Sequence, residues 1–328
     1  MDRSYLGIDI AKKTFDAALL QGDAIKAKTF DNNPAGFKKL ATWLKTHAAG
    51  ELFACMEATG AYGDDLAHFL HEAGHSVCVV NPLQPKAFAE SELQRISNDK
   101  TCAAVIARFA RARAQELTLW SPPSPEYRAL KELQRRIDDL IEARTQELNR
   151  LKSCRDSSAA IKSIKAHIEF LDAQIQQLDA ETKNRIDHDP DVKKKQQLLT
   201  SIPGIGNRTA AILLAELDGF TRYENVRQLA ADVGVIPLNR DSGESVHYRP
   251  RMCKIGNAKV RKALYMPALC AIGKNPIVRD IYLRLTLAGK ARMAAVGAAM
   301  RKLLALAFGV LKSGKPFDPN YRPEFHYS

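Results

Sequence analysis

The hydrophobic pattern of the chain changes abruptly at residues 121–127, whose sequence is SPPSPEY. Three prolines within four positions cannot continue a helix, so a domain boundary is expected there. Before this segment, strand-like and helix-like patterns alternate. Strands are expected near 4–10, 14–20, 52–57 and 76–81, and helices near 35–48, 62–73 and 99–114. The sequence therefore predicts an α/β domain over residues 1–120.

After the prolines the pattern becomes helical. Isoleucine and leucine keep a strict three-and-four spacing at Ile161, Ile164, Ile168, Leu171, Ile175 and Leu178. This spacing is typical of a coiled coil. Residues 121–190 are therefore expected to form a coiled-coil hairpin or an intermolecular coiled coil. Residues 191–328 are expected to form a mainly α-helical domain.

The charge of the chain restricts its partners. The 328 residues include 49 Lys and Arg against 37 Asp and Glu, a formal net charge of +12. This excess favours a polyanionic partner, for which nucleic acid is the leading candidate and an acidic membrane surface the alternative. No apolar run approaches the length expected of a membrane-spanning helix, and the N-terminus lacks an apolar signal core, so a cytoplasmic protein is expected. The six cysteines show no metal-binding spacing and are expected to be reduced thiols.

Three acidic residues in the first domain have the chemistry of a metal site. Asp9 and Glu57 each end a strand-like run, and Asp99 opens a helix-like run. Carboxylate oxygens suit Mg²⁺, and two such ions about 4 Å apart can act on a phosphodiester. Taken singly, each residue has a simpler interpretation, as a turn cap, an exposed strand end and a helix N-cap. Together, on a basic α/β chain, they favour the metal site.

Two segments of the last domain suit phosphate chemistry. IPGIG at 202–206 matches a helix-hairpin-helix turn, in which Gly204 and Gly206 would let backbone amides approach a phosphate. An ordinary tight turn is the alternative.

The second segment is a basic polar loop that contains Ser242 and Ser245. A serine among cationic side chains could attack a phosphodiester, although a simple phosphate-binding loop fits the composition better. His247 could act as a base, but a lone loop histidine is more often merely solvated.

A family resemblance is carried by strings spread from about residue 4 to 318. They are GIDIAKKTFDAAL, MEATGAYGDDLAHFL, VVNPLQPKAFAES, NDKTCAAVIARF, TQELNRLK, SIPGIGNRTAAILLAEL, DSGESVHYRPRMCKIGNAKVRKALYMPAL and LKSGKPFD. In this order they resemble DEDD-type insertion-sequence transposases, the bridge-RNA-guided recombinase family that includes the pilin-gene invertase.

The resemblance implies a ribonuclease-H-like (RuvC-like) N-terminal domain, a coiled-coil dimerisation segment and a C-terminal transposase domain. By matching positions it makes Asp9, Glu57 and Asp99 the ligands of Mg²⁺ and makes Ser242 the nucleophile of a covalent phosphoserine intermediate. It also implies a structured guide RNA that pairs with donor and target DNA, and homodimers that assemble into a homotetramer. Apart from the resemblance, phosphate contacts are expected at Lys12, Lys100, Arg208, Arg249, Arg251 and Lys254.

The chain departs from the family pattern at Cys102. The fourth acidic residue of the family falls at this position, where a neutral thiol suits Mg²⁺ poorly. The departure predicts weak or absent strand exchange.

Two other functions remain open at this stage. One is a RuvC-like Holliday-junction nuclease, which would use activated water and would not require Ser242. The other is a catalytically inactive scaffold that binds RNA and DNA.

Overall fold

The computed structural model describes residues 3–48, 50–58, 60–92, 99–238, 241–242, 246–247, 251–253 and 255–320. The chain divides into two compact units, Met1–Pro122 and Pro123–Ser328. The first has a mixed sheet with helices, and the second is mostly helical.

The first unit is built on a five-stranded sheet. Its strands are β1 (Ser4–Ile10), β2 (Thr14–Gln21), β3 (Ala24–Asp31), β4 (Leu52–Glu57) and β5 (Ser76–Val80). They lie in the order β3-β2-β1-β4-β5. The first three strands form an antiparallel meander, whereas β4 and β5 run parallel to β1. The carboxyl ends of β1, β4 and β5 therefore share one edge of the sheet.

Helices cover both faces of this sheet. They are α1 (Pro34–His47), α2 (Asp64–Glu72), α3 (Leu83–Ser91) and α4 (Asp99–Arg113), and a short 3₁₀ turn spans Gly60–Gly63. On one face, α1 and α2 bury Phe37, Leu40 and Leu66 against strand residues such as Leu6 and Ile8. The opposite face is covered by α4. On this face, residues of α4 form an apolar cluster with residues of β4 and β5. The cluster contains Ile106, Phe109 and Ala110 of the helix and Phe53, Cys55, Cys78 and Val80 of the strands.

Gly7 sets the distance between β1 and α4. A Cβ atom at this position would overlap the backbone of Ala103 and Ala107. The helix therefore rests directly on the strand. At the other end of α4, the Arg111 guanidinium pairs with Asp23 in the β2–β3 turn. This contact shows that α4 runs antiparallel to β1, with its first turn at the carboxyl end of the strand.

Two long helices open the second unit, α5 (Pro125–Ser153) and α6 (Ser158–His188). They pack as an antiparallel hairpin, in which buried Gln134 donates a hydrogen bond to Thr182 (3.2 Å). The Ile and Leu residues that set the heptad spacing of α6 lie at buried or half-buried positions. The hairpin forms within one chain, while supercoiled packing and dimerisation remain predictions.

Six more helices form the main core of the second unit. They are α7 (Pro190–Thr200), α8 (Asn207–Glu216), α9 (Val226–Val233), α10 (Ala258–Lys274), α11 (Pro276–Leu287) and α12 (Arg292–Ser313). Among the described residues between α9 and α10 there are four two-residue strands. They are β6 (Pro237–Leu238), β7 (Asp241–Ser242), β8 (Val246–His247) and β9 (Arg251–Met252).

One expectation about hydropathy was wrong. In the described part of the chain, α12 is long and apolar enough to cross a membrane by length and composition. Apolar residues of α12, among them Val296, Leu303 and Leu304, are instead buried in the helical core. The apolar length of α12 thus reflects a core helix contacted from several sides.

Candidate active site

Asp9 and Glu57 lie side by side at the carboxyl edge of the sheet. Ile8 of β1 is the register partner of Met56 of β4, so Asp9 and Glu57 are the next residues of two adjacent parallel strands. Burial, and then the nearby Asp9 carboxylate, raise the pKa of Glu57 above its usual 4.5. The negative charges of two half-buried carboxylates repel each other, and a cation bound between them relieves this repulsion. The pair therefore fits a divalent metal.

The start of α4 lies at the same edge. Ala103 packs on Gly7, and Asp99 comes four residues earlier, about 6 Å further along the helix axis. Asp9 lies two residues beyond Gly7, about 7 Å along the strand in the same direction. The backbone of Asp99 is therefore level with Asp9, although its side chain lies outside the described residues. Half-buried Cys102 occupies the first turn of α4.

Asp9, Glu57 and Cys102 alone do not form a closed metal centre. Within the described side chains, no three His, Cys, Asp or Glu residues are grouped closely enough to hold a metal ion. Of the predicted ligands, the described side chains thus supply two carboxylates at the carboxyl edge.

A further carboxylate at this edge, that of Asp16, was not among the predicted site residues. It is the register partner of Asp9 across the antiparallel β1–β2 pair, so the two side chains share the face covered by α4. Asp16 accepts a hydrogen bond from the Thr29 hydroxyl. The signal was present in the sequence, because a tight reversal at residues 11–13 between two expected strands fixes this pairing.

Ser242 belongs to a small antiparallel ribbon. Its register partner in β8 is Val246, so residues 243–245 connect the two strands, and Asp241 is the partner of His247. The base of this segment is fixed to the helical core, because Cys253 donates a backbone hydrogen bond to Ile236 (2.8 Å). The side chains of Ser242 and His247 lie outside the described residues.

Further contacts hold the chain that follows this ribbon. The Asn257 amide, at the start of α10, donates to buried Glu216 at the end of α8 (3.1 Å). Asn257 also donates a backbone hydrogen bond to Asp232 (2.9 Å). These hydrogen bonds join the start of α10 to α8 and α9, on the C-terminal side of the ribbon that contains Ser242.

The two glycines of the IPGIG turn have different surroundings. Gly204 has φ +111°, and a Cβ atom there would lie 2.7 Å from the Ala271 Cβ and 2.9 Å from the Pro267 carbonyl oxygen. Gly204 therefore allows close packing of the turn on α10. Gly206 precedes α8 in open space, and none of the described side chains caps the first turn of that helix. Only the Gly206 end of the turn is open to a phosphate.

The expected phosphate contacts are distributed over both units. Lys12 is exposed directly after β1, and Arg208 forms an ion pair with Asp138 of α5 (3.4 Å). Arg249 and Lys254 lie outside the described residues, as do the side chains of Lys100 in α4 and Arg251 in β9. Their roles remain predictions.

Comparison with known proteins identifies the class of protein to which this chain is similar. Residues 6–158 match the DEDD transposase model of the IS110 type, and residues 196–283 match the transposase model of the IS116/IS110/IS902 family. The pilin gene-inverting protein of Moraxella lacunata is 32% identical over 326 residues, which cover 97% of this chain and 98% of that protein. The transposase for insertion sequence element IS1328 of Yersinia enterocolitica is 24% identical over 270 residues, 73% of this chain and 75% of that one.

Acidic residues at the carboxyl edge of the sheet, together with these matches, define a DNA-recombination enzyme of the transposase class. The chain belongs to the IS110/IS116/IS902 family of transposases.

Proposed function

We propose that the chain is an RNA-guided DNA recombinase that joins donor and target DNA through a phosphoserine intermediate. The observation that carries the proposal is the placement of Asp9 and Glu57 as neighbours on β1 and β4, with the first turn of α4 at the same edge. The strand order β3-β2-β1-β4-β5, with β2 antiparallel to its neighbours, supports the ribonuclease-H-like assignment.

Asp9, Glu57 and Asp99 would hold Mg²⁺ in this proposal. When bound, the metal supplies positive charge to the phosphodiester oxygens on which negative charge develops. Deprotonated Glu57 is the form that binds the metal, so protons compete with the metal at this residue. Because the pKa of Glu57 is raised, the competition extends above its usual 4.5.

Ser242 would perform the covalent step. Its oxygen bonds to phosphorus, the bond to one deoxyribose oxygen breaks, and that oxygen leaves as a hydroxyl group. A hydroxyl of the second DNA then attacks the same phosphorus and returns the serine hydroxyl. The cationic residues around Ser242 in the sequence, such as Arg240 and Arg251, suit the charge that develops on the phosphate.

The guide RNA would select the two DNA sequences by base pairing, while the protein contacts shape and backbone. The net charge of +12 suits a complex that contains RNA and two DNA duplexes. Dimers that join into a tetramer would bring the carboxylates of one protomer to Ser242 of another.

The experiment is detection of a covalent protein–DNA adduct on a denaturing gel, with guide RNA, both DNAs and Mg²⁺. Ser242→Ala should abolish the adduct, whereas Ser245→Ala, in the same loop, should retain it. Strand cleavage that survives Ser242→Ala would favour the nuclease instead.

Cys102 favours a second candidate, a binding-competent form with impaired strand exchange. We expect Cys102→Asp to restore a carboxylate in the first turn of α4 and to increase adduct formation. Equal activity of the two forms would reject an inhibitory role for Cys102. Tight, salt-sensitive binding with no adduct from either form would support the scaffold.

A further inference from the structure

Asn32 joins three segments at the edge of the sheet that carries Asp9 and Glu57. Its backbone amide donates to the Lys13 carbonyl (2.8 Å). Its half-buried side-chain amide donates to the carbonyl of Ala11 (3.1 Å) and to that of Tyr62 (2.9 Å). One residue after β3 thus ties the β1–β2 turn to the 3₁₀ turn that follows β4.

The tied segments lie beside the carboxylates. Ala11 follows Asp9 by two residues, about 7 Å along an extended chain. Gly63 abuts the end of β1, because a Cβ atom there would lie 2.9 Å from the Ile10 Cδ1 atom. Tyr62 therefore lies on the rim of the sheet where β1 ends, the rim that also carries Asp9 and Glu57, but toward the face covered by α1 and α2. A DNA strand held at the carboxylates would cross this rim to reach the ring.

The chemistry of this rim is that of a nucleic-acid strand contact. The Tyr62 side chain is 48% exposed, and Lys12 and Lys13 are exposed beside it with no ion pair in the part of the chain that the structure describes. An aromatic face stacks on any base, and adjacent lysines contact the phosphates on either side. In an intact duplex the faces of a base are covered by its neighbours, so the ring selects a base that has left the stack.

We propose that Tyr62 stacks on an unstacked base of the DNA strand at the carboxylates, while Lys12 and Lys13 contact its phosphates and Asn32 holds both in position. This inference rests on the proposed function, since it places the reacting strand at Asp9 and Glu57. It adds a base-binding subsite and assigns Asn32 as a positioning residue.

The test uses the full chain carrying Ser242→Ala, without Mg²⁺, so that adduct formation and cleavage do not contribute. The probe is a single-stranded oligonucleotide with 2-aminopurine, whose fluorescence falls when an aromatic ring stacks on it. Tyr62→Phe should retain the quenching and the affinity. Tyr62→Ala should lose the quenching and bind about tenfold more weakly, within the range measured for single stacking contacts.

Two further variants separate the roles. Lys12→Ala with Lys13→Ala should lower the salt dependence of binding, whereas Tyr62→Ala should leave it unchanged. Asn32→Asp keeps the shape of the side chain but removes its donors, so it should reduce quenching although Tyr62 is present. Its circular dichroism and thermal midpoint serve as the folding check.

Quenching and affinity unchanged in Tyr62→Ala would overturn the stacking contact, and full quenching in Asn32→Asp would overturn the positioning role. Neither result bears on the Ser242 adduct, which is measured separately. Loss of the adduct in Ser242→Ala, with unaltered binding in Tyr62→Ala, would therefore reject this subsite and leave the proposed function intact.

Discussion

At the scale of a single residue, the carboxylate of Glu57 lowers the folding stability of the metal-free protein, although the proposed metal site requires it. Its charged form is disfavoured by burial and by the neighbouring Asp9, so its pKa is raised above 4.5. An acid whose pKa is higher in the folded state binds more protons when folded. Its contribution to stability therefore becomes less favourable as the pH rises from 4.5 through the raised pKa.

Glu57→Gln should stabilise the metal-free protein at pH 7, because it removes a repelled, partly desolvated charge. The gain should be less than about 1 kcal/mol, since water screens the half-exposed carboxylate. It should disappear below pH 4.5, where wild-type Glu57 is protonated. Thermal melting at the two pH values measures this, with exposed Glu72→Gln on α2 as the control. A less stable Glu57→Gln at pH 7 would contradict the assigned origin of the shift.

The same substitution should weaken metal binding, and wild-type affinity for Mg²⁺ should fall as the pH decreases through the raised pKa of Glu57. Isothermal titration of Mg²⁺ at several pH values measures both effects. An affinity that is independent of pH across this range would show that Glu57 is not a ligand.

At the scale of secondary-structure elements, the position of α4 on β1 determines whether Asp99 can meet Asp9. The close approach depends on Gly7, where a Cβ atom would overlap the backbone of Ala103 and Ala107. The helix cannot remain at this distance if a side chain is added.

Gly7→Ala should therefore destabilise the protein by about 1–3 kcal/mol, as overpacking of a tight core does. It should also reduce adduct formation, because α4 carries Asp99. The same change at Gly309 in α12, where nothing lies within 4 Å of the added Cβ, should instead stabilise by about 0.5–1 kcal/mol. Denaturant unfolding of both variants is the measurement, and equal effects of the two would refute the close contact at Gly7.

The α5–α6 hairpin contains a buried polar pair, Gln134 with Thr182. Thr182→Val should cost about 1–3 kcal/mol, because it leaves the Gln134 amide buried without this partner. Adding Gln134→Leu should recover much of that loss. A double-mutant cycle by thermal unfolding measures the coupling, and additive effects would show that the hydrogen bond contributes nothing.

Most elements of the fold could be predicted from hydrophobic pattern, but β3, α3 and the two-residue strands β6–β9, in a segment expected to be a loop, could not. β3 is a mostly exposed edge strand with the sequence AIKAKTFD. Because two of its residues are lysines, the sequence does not show the apolar alternation of a half-buried strand. α3 contains Pro85 and buries few residues, so it has no clear helical stripe. In the site, Asp9 and Glu57 were predictable because each ends an apolar strand. Asp16 could have been placed from the tight reversal that sets the β1–β2 register, whereas Asn32 could not, because its position depends on hydrogen bonds between distant segments.

At the scale of the whole molecule, the excess of positive charge should dominate binding to nucleic acid. If the six expected Lys and Arg residues all contact phosphates, the logarithm of the DNA affinity should fall with the logarithm of salt concentration with a slope of about −5. Lys12→Ala should reduce this slope by about 1. Lys45→Ala should leave it unchanged, because α1 lies on the opposite face of the sheet from α4. Fluorescence anisotropy across a salt series measures the slopes, and identical slopes for Lys12→Ala and wild type would exclude a phosphate contact at Lys12.

In the proposed reaction, DNA becomes covalently attached to Ser242 during recombination. The most direct measurement is mass spectrometry of the trapped protein–DNA adduct after nuclease and trypsin digestion, using this chain and its Cys102→Asp form. We predict a nucleotide phosphate on Ser242 within the peptide of residues 241–251. A nucleotide on another residue, or cleaved DNA with no modified peptide from either form, would contradict the account.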